Sequence, residues 1–257
     1  MAKPVGSELE FNVAPGLPPI RVSQRIDSMV VGQGVWNAGV ALPFWLAKNA
    51  NLIRGKRVLE LGAGCGQAGI AAAALGASEV LVTDQAEVMG HLQRNAERNA
   101  VAVPNVAAAE LDWGLAVPGC LKEHQTTEAD TEDATSEVTP QWCPEVLGKQ
   151  WDVILCADCC YGEDSVVPLT CTLRLLRKLC GASTVVMAHD DRNERATALL
   201  AAEMDKYWTT KQFPLAKVAK CMPPDDDPAV RCDGAHVPLR CEQSMHFYVL
   251  RAPFNAG

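Results

Sequence analysis

The residues best placed to do chemistry form one short run, Glu60-Leu61-Gly62-Ala63-Gly64-Cys65-Gly66. Glycines at alternate positions let a backbone turn sharply and approach a ligand with no Cβ in the way. Asp84 stands twenty positions after Gly64, at the end of the next apolar run. A carboxylate there can accept hydrogen bonds from both hydroxyls of a ribose. Together they point to an adenosine-containing cofactor lying across two neighbouring strand ends. The competing reading, a tight turn with a helix-capping Asp, needs the match between glycines and acid to be chance.

Two cofactors fit the glycines. Gly64-Cys65-Gly66-Gln67-Ala68-Gly69 also satisfies the dinucleotide pattern G-x-G-x-x-G. Glu60 argues against a pyrophosphate, because it sits two residues before the first glycine, where a phosphate needs donors. At ~5 Å and an effective dielectric of ~20 the repulsion is about 3 kcal/mol per unit of phosphate charge. S-adenosylmethionine has no phosphate, and its ammonium and sulfonium groups favour an acid. The balance leans to methyl transfer. An NAD(P)-dependent oxidoreductase and a catalytically silent binding module of the same fold stay open as alternatives.

The elements that must carry these residues alternate strand and helix. Arg57–Leu61 and Glu79–Thr83 read as strands, separated by a helix over Gln67–Leu75 that Gly76 ends. Val88, Met89, Leu92 and Ala96 share one helical face. Val106–Leu111 and Trp151–Cys156 are further strands, followed by a helix from about Ser165, a strand over Ser183–Ala188 and a helix over Asn193–Trp208. Thr209–Val218 and Met245–Arg251 complete the strands, parted by an acidic, Pro-rich loop. Glu8–Asn12 and Ile20–Ser23 read as a hairpin. Trp36–Ala50 reads as a lid helix kinked or shortened at Pro43. The expected fold is α/β, a doubly wound and mostly parallel seven-stranded sheet. Residues 1–50 form an N-terminal hairpin and lid extension, and residues 51–257 form the catalytic domain.

Composition narrows the functions. The chain has 257 residues, is 48% apolar and 21% charged, and carries a net charge of −8. Residues 123–140 hold six acids and no Lys or Arg, and Asp225, Asp226 and Asp227 add three, so the remainder is +1. That balance disfavours nucleic acid, which is met by clustered Lys and Arg. Residues 114–149 read as a solvated insertion, too poor in apolar side chains to offset its ordering entropy. Eleven cysteines in a chain of this length read as reduced, buried thiols. Cys156, Cys159 and Cys160 include a C-x-x-C step, but no second ligand pair follows, so no metal is expected. The opening MAKPVGSELEF lacks an apolar core after a basic flank, and no stretch reaches the ~18 apolar residues of a membrane span. A cytosolic or nuclear chain with no membrane partner is expected.

A family resemblance joins this reading. Glu60–Gly66 resembles the first motif of class I, seven-β-strand methyltransferases. Ala157-Asp158-Cys159-Cys160-Tyr161, after a strand, resembles the Asp-x-x-Tyr signature of the methyltransferase-like protein-lysine methyltransferases, which act on chaperones, AAA ATPases and translation factors. The run ADCCYGEDSVVPLTCTLRLL is most similar to the branch that modifies valosin-containing protein. Gly34-Val35-Trp36 and Asp112-Trp113 resemble the family's entry tryptophan and its adenine-flanking pair.

The resemblance implies S-adenosylmethionine as cofactor and a protein lysine as acceptor. It implies cofactor contacts at Trp36, Glu60, Gly62, Gly64, Gly66, Asp84, Trp113 and Ala157, with Asp158 and Tyr161 lining a channel for the amine. Asn37, where the family often has an acid, Pro43 and the insertion depart from the pattern at the substrate-facing rim. Base-methylating relatives of this layout usually carry two prolines where Cys159-Cys160 stand, which again favours a protein substrate. His189-Asp190-Asp191-Arg192 follows a strand end on the ligand side and reads as a polar loop, with substrate contact as the other reading. Trp142, Trp151 and Trp208 read as packing residues.

Overall fold

Runs of valine, leucine and isoleucine with no polar alternation belong to strands buried on both faces, as in a parallel sheet covered by helices. The computed structural model describes residues 6–25, 28–117, 141–223, 229–232, 235–236 and 244–253. The chain runs β1 (Gly6–Phe11), β2 (Ile20–Arg25), α1 (Asn37–Lys48), β3 (Arg57–Leu61), α2 (Gln67–Ala74), β4 (Glu79–Asp84), α3 (Ala86–Asn99) and β5 (Val106–Glu110). It continues with α4 (Pro144–Leu147), β6 (Val153–Ala157), α5 (Glu163–Cys180), β7 (Thr184–Asp190), α6 (Glu194–Tyr207), β8 (Thr209–Phe213), α7 (Leu215–Ala219), β9 (Val230–Cys232), β10 (Ala235–His236) and β11 (Met245–Arg251).

Seven strands form one sheet in the order β5-β4-β3-β6-β7-β11-β8. β5, β4, β3, β6 and β7 pair in parallel, and β11 runs antiparallel to both β7 and β8. This is the expected doubly wound, mostly parallel α/β sheet. Side chains of α1, α2 and α3 pack with Val58, Val80 and Val82 on one face. Those of α5 and α6 pack with Leu59, Leu61 and Ile154 on the other. Among the described residues no helix is long and apolar enough to cross a membrane.

The N-terminal hairpin pairs β1 with β2 in antiparallel register. β9 and β10 extend it to a four-stranded sheet that the sequence reading did not anticipate. The free edge of β2 is covered by α3. Asn99 accepts from the Arg21 N–H at 3.0 Å and donates to the Arg21 carbonyl at 2.7 Å. Asn95 accepts from the Ser23 N–H at 2.9 Å and donates to the carbonyls of Ser23 and Cys65, each at 3.0 Å. One buried amide thus ties the hairpin to the glycine run.

Two elements differ from expectation, and α1 is not cut short at Pro43. α1 continues through Pro43 to Lys48, with Ala38 to Leu46 buried. Tertiary burial of that face offsets a proline cost of about 3 kcal/mol. The strand expected over Thr209–Val218 stops at Phe213, where Pro214 precedes the short α7. Both flanks of the acidic insertion are folded. Trp142 is buried and its indole donates to the Asp112 carbonyl at 3.0 Å, while Val146 of α4 is fully buried. Residues 118–140, most of that insertion, lie outside the described residues. Trp151 and Trp208 are buried packing residues.

Candidate active site

The strand order reverses at β3: β4 and β5 lie to one side, β6 and β7 to the other. At such a reversal the loops leaving the strand ends part, and ligands bind in the gap. A cavity of about 430 Å³ opens there, within the ~300–1,000 Å³ typical of small-molecule sites. Its walls come from the loops after β3, β4, β5, β6 and β7 and from the segment before α1.

The floor is the glycine loop. Gly62 and Gly64 both adopt φ of 58°, a left-handed geometry that glycine alone adopts freely. Space is as tight as backbone: a Cβ on Gly62 would stand 3.0 Å from Trp113 Cζ2, and one on Gly64 would stand 3.0 Å from the Gly32 carbonyl. Asp84 holds this loop. Its Oδ2 accepts from the Gly64 N–H at 2.7 Å and its Oδ1 from the Gln85 N–H at 2.8 Å. Burial pushes the Asp84 carboxyl above its ordinary pKa, and those two N–H groups pull it back.

Trp36, Gly62, Gly64, Asp84, Trp113 and Ala157 line the cavity, together with Asp158 and Tyr161. Glu60 and Gly66 are placed elsewhere. Gly66, with φ of 83°, caps α2, and the side that a Cβ would occupy faces Leu92. Glu60 is 1% exposed and turns beneath α2, where Oε2 accepts from the Gly69 N–H at 2.8 Å. Burial raises its pKa to about 8 against that hydrogen bond. A largely protonated carboxyl facing Gly69 does not repel a phosphate in the cavity. The choice between cofactors therefore rests on other grounds.

The opposite wall is the turn after β6. Asp158 adopts φ of 59°, which Asp tolerates better than most residues. Its N–H donates to the Ala188 carbonyl at 2.9 Å, and its Oδ1 accepts from the Asp190 N–H at 3.4 Å. Its Oδ2 is ion-paired with Arg192, although the Asp158 side chain is only 2% exposed. Burial raises the Asp158 pKa, with Arg192 the largest opposing influence. Tyr161 and Trp36 are 55% and 42% exposed, so both rings stand at the mouth. Cys156, Cys159 and Cys160 are buried free thiols, and Cys159 Sγ donates to the Leu61 carbonyl at 3.1 Å.

Gln67 and Arg192 line the cavity although neither was among the site residues expected from the sequence. Gln67 opens α2, is 6% exposed, and its Oε1 is buried with no hydrogen-bond partner among the described residues. Gly39 of α1 makes room for it, since a Cβ there would collide with Gln67 Nε2. Only the G-x-G-Q spacing could have signalled it. Arg192 closes the loop read as polar, with substrate contact as the other reading, and it lines the cavity.

A family model described as lysine methyltransferase matches residues 18–131 and 132–204. Protein N-lysine methyltransferase METTL21A of Mus musculus is 31% identical over 202 residues, covering 77% of this chain and 76% of its own. Calmodulin-lysine N-methyltransferase of Arabidopsis thaliana is 29% identical over 163 residues, 62% of this chain, which spans only 45% of that relative. The SMU.776 structure, solved in complex with SAH, matches with a TM-score of 0.50 at 12% identity. It covers 93% of this chain and 57% of its own, a likeness of fold. The two-part family match over residues 18–204, with the mouse relative aligned over most of both chains, establishes that this chain belongs to the lysine methyltransferase family.

Proposed function

We propose that this chain transfers a methyl group from S-adenosylmethionine to the ε-amine of a lysine on a protein. The observation that carries the proposal is one cavity with two unlike walls, a glycine loop pinned by Asp84 and the Asp158–Tyr161 turn, in a member of this family. The residues fit the cofactor. Asp84 suits a ribose diol, Trp113 suits an adenine face, and the left-handed glycines and Ala157 leave room for backbone contacts. Trp36 closes the entry, and the orphaned Gln67 Oε1 suits an ammonium. Glu60 and Gly66 would then act through the loop they support. Bound there, S-adenosylmethionine supplies an electrophilic methyl carbon on a sulfonium. Family membership leaves the nicotinamide reading without support.

The chain's own groups must present a neutral amine. A lysine of pKa ~10.4 costs about 4.6 kcal/mol to deprotonate at pH 7. Loss of solvent around the amine inside the cavity lowers that cost by disfavouring the ammonium. Asp158 alone would raise it, so its role is to guide and orient the arriving cation. Tyr161 offers a hydroxyl acceptor and a ring face. Holding the amine in line supplies most of the acceleration. The acceptor belongs to a cytosolic or nuclear protein, of the chaperone, AAA ATPase or translation-factor kind that the resemblance implies.

The test is tritiated methyl transfer into lysate, followed by mass spectrometry of the labelled band. Methyl-lysine in a discrete protein is the expected result. Heat with S-adenosylhomocysteine but no incorporation into any protein would instead mark a silent binding module. Gln67 gives a sharper check. Gln67→Leu is expected to weaken S-adenosylhomocysteine about tenfold in isothermal titration, the worth of a hydrogen bond to a charged group. It should not lower the melting temperature of the unliganded protein, because the lost amide oxygen has no hydrogen-bond partner among the described residues.

A further inference from the structure

The cation site at the cavity mouth is already filled, by the protein itself. The Arg192 guanidinium is ion-paired with Asp158, and its carbon lies 4.9 Å from the centre of the Trp36 ring. A buried carboxylate and an aromatic face are what an ammonium would also seek. Arg192 is 39% exposed at its side chain and Asp158 2%. The arginine can therefore swing into water, whereas the buried carboxylate is left with an uncompensated charge if nothing replaces it.

We propose that Arg192 is a specificity-determining latch, an internal stand-in for the substrate cation that only another cation can displace from Asp158. The inference rests on the reading of this cavity as the methyl-transfer site. An arriving lysine ammonium exchanges with the guanidinium, and Asp158 remains paired throughout. A neutral alkyl side chain has nothing to offer Asp158, so the arginine stays and the mouth stays closed to it. Selection for charge thus precedes chemistry, and it is set by a residue that need not touch the methyl group.

The experiment follows the Arg192 Nε–H signal in protein labelled with ¹⁵N-arginine, assigned by its loss in Arg192→Gln. S-adenosylhomocysteine is added first, with its binding read by calorimetry. N-acetyl-lysine methylamide or N-acetyl-norleucine methylamide is then titrated. The lysine probe is expected to shift or broaden the Arg192 signal and the norleucine probe to leave it in place. A signal moved by both probes, or by neither, overturns the latch. In Arg192→Gln the lysine probe has no competitor and should bind three- to tenfold more tightly, and Arg192→Lys should restore part of the barrier. Unchanged or weaker binding in a glutamine variant that melts cooperatively also overturns it. If that variant does not fold, the wild-type titration decides alone. An absence of heat with S-adenosylhomocysteine would remove the methyl-transfer reading and the latch with it. Heat with an unmoved arginine removes the latch only.

Discussion

Asp84→Ala is expected to weaken S-adenosylhomocysteine binding by two orders of magnitude or more, with a modest loss of stability. The carboxylate acts twice. It fixes the glycine loop through the Gly64 and Gln85 N–H groups, at 2.7 and 2.8 Å, and it lines the cavity. Hydrogen bonds to a charged acceptor are worth ~1.5–3 kcal/mol each. Losing one diol contact and the order of the loop together therefore costs about 3–4 kcal/mol, a factor of ~10²–10³. Stability falls less because the freed N–H groups open onto a cavity that water can enter. Asp84→Asn keeps one carbonyl oxygen but turns an amide NH₂ toward the other N–H, and it should fall between the two, at about tenfold to thirtyfold. Isothermal titration beside a thermal melt separates the effects. An alanine variant within threefold of wild type would mean that the carboxylate is structural only.

How far the sequence revealed this site depended on whether the signal was local. Arg57–Leu61, the glycines and Asp84 were legible because turn, strand and acid lie within thirty residues and each has its own chemistry. Glu60 was harder. Its type suggested a cofactor contact, yet strand alternation already puts it on the face of Val58, opposite Leu59 and Leu61. Those neighbours do pack against different helices. Period two said which face, but not that the first turn of α2 would cover it and supply the Gly69 N–H. Arg192 was out of reach for another reason. It meets Asp158 across 34 residues and Trp36 across 156, through the crossover from β6 to β7 and the packing of the segment before α1. Nothing in His189-Asp190-Asp191-Arg192 alone says where the arginine points. Pro214 was a missed local signal, since a proline ahead of Leu215–Ala219 suits the start of a helix better than the middle of a strand.

The placement of Glu60 leads to the second large effect, on stability against pH. In the native protein its carboxyl keeps a proton to about pH 8, whereas unfolded chain releases it near 4.5. Between those values the native state binds more protons than the unfolded state, so this residue makes stability fall as pH rises. At about 1.4 kcal/mol per unit, the loss accumulates to the order of 3–5 kcal/mol by pH 8 and is absent below pH 4.5. Glu60→Gln removes the titration while its amide oxygen can still accept from Gly69. The stability of the glutamine variant minus that of wild type should therefore be flat below pH 4.5, climb through neutrality and level off above pH 8. Groups that titrate alike in both proteins cancel in that difference, so urea denaturation of the pair at intervals from pH 4 to 9 isolates the one carboxyl. For a chain of this length the gain at pH 8 corresponds to roughly 6–20 °C in melting temperature, at about 2–4 °C per kcal/mol. Two parallel curves would show that Glu60 ionises normally, and hence that water or a cation reaches it beneath α2. In that event its charge would again count toward the choice of cofactor.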